Sequence, residues 1–186
     1  MKSLQNKTRL LIVLGLVAGL TFQCEKKEEE DLTPILALSA LTNSPGDCSV
    51  SASGKATINT WTTDVTATPT GTLSKLGSVP FAGHTTAAMK VTTDGNGSTM
   101  TVNGSAFIIV YKSSACPLTP SNVAAKPGDY TISGGTDSTS EFPDSYKIAN
   151  QTANITFSAT NTGFYVFIYA IPRNGQSAAV NYAFTQ

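Results

Sequence analysis

From residue 47 onward, polar and apolar positions alternate along the chain, which is the pattern of half-buried β-strands. Over 49–61, the positions that share one face are Val50, Ala52, Ala56, Ile58 and Thr60. Over 98–111, the corresponding positions are Met100, Val102, Ala106, Ile108 and Val110. The same alternation predicts further strands at 87–93, 130–132, 146–148, 154–160 and 178–184. No helical periodicity interrupts it, so the sequence predicts an all-β domain.

Two runs are apolar on both faces instead of alternating. They are 107–111, with the sequence Phe-Ile-Ile-Val-Tyr, and 164–171. A strand can be apolar on both faces only where both faces are covered. We therefore expect these two strands at the centre of the domain.

Turn signals at 94–97, 161–163 and 173–175 separate the strands, and the last is typical of a hairpin. About seven to nine strands at this spacing predict a single antiparallel β-sandwich, Ig-like or jelly-roll-like, over residues 47–186. An up-and-down barrel fits less well, because the loops at 113–129 and 133–144 are longer than hairpin turns. Loops of that length suit crossings between two sheets.

Residues 1–23 have the pattern of an export signal. Basic residues at Lys2, Lys7 and Arg9 precede an apolar run over 10–22. That run is shorter than the roughly 20 residues that a membrane-spanning helix needs. It is therefore predicted to be a signal helix, and no later stretch is predicted to span a membrane.

Cys24 lies between the apolar run and an acidic, lysine-containing tether at 25–31. This arrangement resembles the lipobox of bacterial lipoproteins, in which the leader is cut before a cysteine whose thiol carries diacylglycerol. Phe22 and Gln23 depart from the strict lipobox, and here the segment is similar to the looser lipoboxes of spirochaetal lipoproteins. The resemblance covers residues 1–42 only. The alternative is a conventional or uncleaved signal beside an incidental cysteine.

What the resemblance implies is an acylated Cys24 that holds the protein to a membrane through its acyl chains, palmitate among them. The implied location is the cell envelope, at the outer membrane. Residues 24–46 would form the lipidated tether and a short helix, with Thr33 as N-cap and Pro34 at the first helical position. This helix either packs on the β-domain or lies at the membrane interface, and its lack of Lys and Arg favours packing.

Charge limits the classes of partner. Removal of the signal leaves nine basic and twelve acidic residues, a net charge of about −3. Nucleic-acid binding needs a basic stripe on the surface. We therefore expect no nucleic-acid partner.

The cysteines predict one structural bridge. With Cys24 acylated, Cys48 and Cys116 remain, and two thiols in an exported protein usually pair. We predict a Cys48–Cys116 disulfide, with free thiols as the alternative. It would tie the start of the first strand to the segment after Tyr111.

Candidate metal and catalytic residues are sparse. Asp137, Glu141 and Asp144 share one loop and offer the carboxylate oxygens that Ca²⁺ prefers. Paired carboxylates for glycoside hydrolysis could come from the same three residues. His84 is the one histidine of the sequence, so a Ser-His-Asp site would have to use it. It has no nucleophile motif nearby and is predicted to lie in a surface loop, and no cofactor other than calcium is expected.

Aromatic residues offer a further candidate, a platform for binding sugars. Trp61 and the six tyrosines could contribute to it. Most of them occur at strand spacing, where an amphipathic aromatic side chain usually packs along a sheet. Packing is therefore the favoured interpretation.

Together these patterns predict a non-enzymatic, lipid-anchored envelope protein with a structural or interaction role, such as adhesion to a protein or glycan partner. The first alternative is a carbohydrate- or ligand-binding β-module, with or without calcium. A hydrolase is the third, because acid–base residues are few.

Overall fold

The computed structural model describes residues 46–79, 84–94, 97–140, 143–158, 160–170 and 179–186. The predicted signal helix, the linker helix and the turn at 173–175 lie outside these residues. Within them no helix is long and apolar enough to cross a membrane. In the described ranges, the regular structure is β apart from a 3₁₀ turn at Pro120–Asn122. The strands are β1 Cys48–Val50, β2 Ile58–Thr60, β3 Thr62–Asp64, β4 Thr70–Thr72, β5 Gly77–Val79, β6 His84–Thr92, β7 Ser98–Lys112, β8 Tyr130–Ser133, β9 Thr136–Asp137, β10 Tyr146–Phe157, β11 Gly163–Ala170 and β12 Asn181–Thr185.

Ten of these strands belong to one curled, hydrogen-bonded sheet, and β1 and β2 form a separate hairpin. The main path of the sheet runs β3-β6-β11-β7-β10-β8, and β12 joins the first part of β7. The predicted all-β class is confirmed, whereas a two-sheet sandwich, Ig-like or jelly-roll-like, is not. The sheet is also mixed, because β3 pairs with β6 in parallel.

The curl of the sheet is visible where strands that are not neighbours come into contact. β10 and β11 are separated by β7, yet the rings of Phe157 and Phe164 lie 4.8 Å apart. Beside them, the backbone N–H of Thr162 donates to Thr93 Oγ1 at 3.1 Å. The short connections at 93–97 and 158–162 therefore join strands that are not paired with each other. The turn predicted at 173–175 lies outside the described residues, and β12, which follows it, pairs with β4 and β7.

A bulge bends the two longest strands together. The register of β10 against β7 shifts between Ala149 and Gln151, which leaves Asn150 as an extra residue with φ 52°. Ser105 fills the bulge: its hydroxyl accepts from the backbone N–H of Asn150 at 2.9 Å and donates to Asn150 Oδ1 at 2.8 Å. Bulges of this kind bend a strand and increase its twist.

The bulge also changes which positions of β10 point inward, from even-numbered to odd-numbered residues. Tyr146 and Ile148 before it, and Ile155 and Phe157 after it, all belong to the same buried cluster. Their numbers change from even to odd because one extra residue has been inserted. The sequence pattern therefore predicted two strands, at 146–148 and 154–160, where the structure has one.

The concave side of the sheet encloses the main hydrophobic core, which we call the inner cluster. Its most deeply buried large side chains come from the four strands β6, β7, β10 and β11 and include Met89, Met100, Ile108, Ile148, Ile155, Phe164 and Ile168. Both runs predicted to be apolar on two faces are buried, at 107–111 and at 164–170 except for the half-buried Tyr169. They lie in β7 and β11, at the middle of the sheet, as predicted.

The other side of β7 and β11 forms a second buried group, the outer cluster. Its sheet residues include Ile109, Tyr111, Tyr165 and Phe167. The β1–β2 hairpin and the segment 113–124 cover it, and Leu118 packs there fully buried. We call these two elements the outer cover.

The two parts of the outer cover are joined by hydrogen bonds and by one covalent bond. Leu118 exchanges backbone hydrogen bonds with Ser49 and Ser51, each 2.8 Å long. The predicted disulfide is present between Cys48 and Cys116, with their Cα atoms 5.4 Å apart. The prediction of one strand over 49–61 is wrong, because a turn containing Gly54 divides it into β1 and β2.

Substitution of Gly104, at the bend of β7, tests whether the curl of the sheet requires a glycine at this position. It has φ 146°, and an added Cβ would lie 2.8 Å from the carbonyl oxygen of Ala179. Gly54 has φ 69°, but a Cβ there meets no described atom within 4 Å. Because only Gly104 adds a clash to the backbone cost, we expect Gly104→Ala to lower the free energy of unfolding by roughly 3 kcal/mol or more, against about 1–2 kcal/mol for Gly54→Ala. Urea unfolding of both variants measures the difference, and equal losses would contradict this account of the bend.

The disulfide should account for a large part of the stability. It closes a loop of 68 residues, and for that length the chain-entropy model assigns about 4 kcal/mol. The variant with Cys48→Ser and Cys116→Ser should lose about that much, and the wild-type protein under reducing conditions should match it. A loss below about 1 kcal/mol would show that the covalent bond is not what holds the outer cover.

Candidate functional site

Small neutral polar side chains form an array on the convex side of the sheet, around the first part of β7. It extends over five adjacent strands in the order β8-β10-β7-β12-β4. We call it the polar face, and its residues are Thr70, Thr72, Thr99, Thr101, Asn103, Thr131, Ser133, Thr152, Asn154, Thr156, Asn181, Ala183 and Thr185. All are exposed or partly exposed, and all except Ala183 carry a hydroxyl or an amide.

The strand registers place these side chains in rows across the sheet. One row consists of four threonines on four neighbouring strands, namely Thr131, Thr156, Thr99 and Thr185. Neighbouring strands are about 4.8 Å apart and same-face residues of one strand about 6.7 Å apart. The result is a two-dimensional lattice of hydroxyl and amide groups without a charged residue among its members.

Hydrogen bonds between neighbouring strands hold part of this lattice in a fixed orientation. Asn103 Nδ2 donates to Thr152 Oγ1 at 2.7 Å, and Thr72 Oγ1 donates to Asn181 Oδ1. Thr101 Oγ1 contacts the carbonyl oxygen of Ala183 at 3.5 Å. Cross-strand pairs of this type contribute to sheet stability as well as to order at the surface.

Simple alternation produces the polar face. Most of its residues are flanked by positions that point into the inner cluster, such as Met100, Val102, Ile155 and Phe184. Threonine also favours strands, so the face can be both exposed and regular. The apolar positions of this alternation were used to predict strands. The polar positions between them were the signal that could have predicted the polar face.

A second surface feature is an open groove of about 430 Å³, which we call the Trp61 groove. Its residues are Asp47, Trp61, Ser74, Lys75 and Leu76. Trp61 is 37% and Leu76 40% exposed, which is unusual for large apolar side chains in the described part of the chain. The groove thus combines an apolar floor with one carboxylate, one ammonium group and one hydroxyl.

The predicted calcium residues are only partly placed by the structure. Asp137 ends β9 and Asp144 lies in the following loop with φ 56°, while Glu141 lies outside the described residues. Asp137 Oδ1 accepts from the backbone N–H of Thr139 at 3.0 Å, and this hydrogen bond holds the pKa of the Asp137 carboxyl below its usual value. Across the described ranges, no three or more His, Cys, Asp or Glu side chains lie close enough together to hold a metal ion. Calcium binding stays a prediction.

An ion pair fixes the end of the long segment after β7. Lys112 Nζ lies 2.6 Å from Asp129 Oδ1, and Asp129 Oδ2 accepts from the backbone N–H of Ala125 at 2.9 Å. The Lys112 hydrogen bond, together with that from Ala125, lowers the pKa of the Asp129 carboxyl. These contacts anchor a loop and point to no ligand.

His84 does not lie in a surface loop as predicted. It begins β6, is half-buried, and forms a hydrogen bond through Nδ1 with the hydroxyl of Tyr169 on β11. Five of the six tyrosines are buried, and burial raises the pKa of Tyr111 and Tyr130. The preference for packing over an aromatic platform is therefore confirmed for these tyrosines, and Trp61 is the aromatic residue that departs from it.

Comparisons with known proteins do not identify the chain. No protein family and no curated protein matches its sequence. Among solved structures, it is similar to CorA, a surface-associated copper-binding protein important in copper acquisition by Methylomicrobium album BG8. The sequences are 12% identical, the TM-score is 0.32, and the match covers 76% of this chain and 99% of that chain. At this TM-score the similarity carries no information about function.

Proposed function

We propose that this chain is a lipid-anchored envelope protein whose β-domain makes adhesive contacts, through the polar face, with an uncharged and hydroxyl-rich partner. The partner class that fits this description is a neutral polysaccharide. The observation that carries the proposal is the row-by-row array of threonine and asparagine side chains on five adjacent strands.

The composition of the polar face favours a polysaccharide over a protein partner. Protein interfaces are enriched in aromatic residues, Met and Arg at their centre, and the polar face has none of these. A neutral polysaccharide instead offers repeated hydroxyl groups that can both donate and accept hydrogen bonds. Each such bond contributes only about 0.5–1.5 kcal/mol in water, so affinity would come from many contacts along one polymer.

The proposed location follows from the N-terminal sequence, and the disulfide supports it. Cys24 is the expected site of acylation, and the acidic tether 25–31 would separate the β-domain from the membrane. A structural disulfide between Cys48 and Cys116 suits an oxidising, extracytoplasmic compartment. The proposal includes no catalytic step, because its partner is held by surface hydrogen bonds alone.

Cosedimentation with insoluble uncharged glucans, cellulose and a β-1,3-glucan, tests the proposal. The wild-type domain should bind, with an affinity that is unchanged between low and high salt because no charge takes part. The double variant with Thr101→Lys and Thr156→Lys has two added charges at the centre of the polar face. Its affinity should be about tenfold weaker or more, a loss of binding free energy of roughly 1.4 kcal/mol.

The matched control carries the same type of substitution elsewhere. Ser114→Lys adds a lysine in the outer cover and should leave binding unchanged. Binding that is lost at high salt, or that Ser114→Lys weakens as much as the polar-face variant does, would refute the role of the polar face.

The anchor is tested separately in cells of a lipoprotein-processing bacterium. Cys24→Ala should abolish palmitate incorporation and move the protein from the membrane fraction to the soluble fraction, because the acyl chains supply the attachment. The variant with Cys48→Ser and Cys116→Ser should remain in the membrane fraction. Retention of the Cys24→Ala protein in the membrane would show that the anchor lies elsewhere.

A further inference from the structure

The Trp61 groove lies on residues that the polar face does not use. Trp61 and Leu76 expose more than a third of their surface, whereas other large apolar side chains of the described residues are buried or half-buried. Exposed apolar groups beside polar ones are typical of small-molecule sites, which combine an apolar floor with a few oriented polar groups. We propose that this groove binds a single pyranose ring of an uncharged saccharide.

The backbone around Trp61 is held on both sides, so the point from which the indole projects is fixed. The carbonyl oxygen of Trp61 accepts from the backbone N–H of Ala88 on β6 at 3.0 Å. The next residue, Thr62, donates its backbone N–H to Asp47 Oδ1 at 2.7 Å. A side chain that is already positioned loses less conformational freedom when a ligand binds.

The polar side chains of the groove suit the hydroxyl edge of a sugar. The Asp47 carboxylate is oriented by its bond from Thr62, and Asp47 precedes the disulfide-bonded Cys48. It can accept from ligand hydroxyls, Lys75 can donate to them, and Ser74 can do both. One negative and one positive side chain cancel in net charge, which is complementary to an uncharged ligand rather than to an anion or a cation.

The apolar side chains suit the other surface of the same ligand. A pyranose ring presents a C–H face that can lie flat on an indole, while its hydroxyls project from the ring edge. The groove volume of about 430 Å³ lies at the small end of ligand pockets, so it fits a single ring, and further rings of an oligosaccharide would extend beyond the open groove. The ligand is therefore amphipathic, neutral and small, as a pyranose is.

Trp61 is the one tryptophan of the sequence, so its fluorescence reports on the groove directly. Glucose trisaccharides, namely cellotriose, laminaritriose and maltotriose, are titrated into the full-length protein carrying Cys24→Ala. At least one should shift the emission to the blue in a saturable way. Asp47→Asn should raise the concentration needed for half of the shift about tenfold or more, and Lys55→Ala, which changes an exposed lysine outside the groove, should leave it unchanged.

Three outcomes would overturn the proposal. The first is an emission that none of the three trisaccharides changes, and the second is a shift that Asp47→Asn leaves intact. The third is a Trp61 that a soluble collisional quencher cannot reach in the full-length protein, which would mean that another part of the chain or a second copy occupies the groove. The variant with Thr101→Lys and Thr156→Lys should keep the shift, so failure of the groove and failure of the polar face can be told apart.

Discussion

The structure depends on the burial of the second part of β7, and of β11, on both faces. A strand that is apolar on two sides requires two covers, and the chain provides them in different ways. The sheet curls to enclose one side, whereas the other side is closed by the β1–β2 hairpin and the segment 113–124. The second cover is short and has little hydrophobic surface of its own, which is why a covalent link between Cys48 and Cys116 matters for stability.

The bend of β7 and β10 connects the core to the surface. Gly104 and Asn150 let both strands turn while their pairing continues, so one sheet surrounds the inner cluster. Every residue that this curl directs inward has a neighbour that it directs outward. The polar face is therefore a product of the same geometry that forms the core, and its regularity follows from the regular register of the strands.

Much of the fold could be predicted from the sequence, because burial on two faces and alternation are local patterns. The two central strands and the disulfide were predicted, whereas the continuity of β10 was not, because the extra residue Asn150 reverses the alternation. Strand neighbours could not be predicted either, since the chain passes from β6 to β7 and from β10 to β11, pairs of strands that have a third strand between them in the sheet. The rows of the polar face depend on those neighbours, and the groove depends on bringing Asp47, Trp61 and Lys75 together from separate segments.

Under the proposed attachment through Cys24, the position of the disulfide has a mechanical consequence. A pull transmitted through the tether enters the described domain at Gly46 and reaches Cys48 two residues later. There the load divides, and part of it passes through the sulfur atoms to Cys116 and so to the end of β7. Under such a load the hairpin stays joined to the segment after β7 even when the hydrogen bonds between Leu118 and the hairpin are lost. At this point of the chain, resistance to force is thereby set by a covalent bond and not by hydrogen bonds.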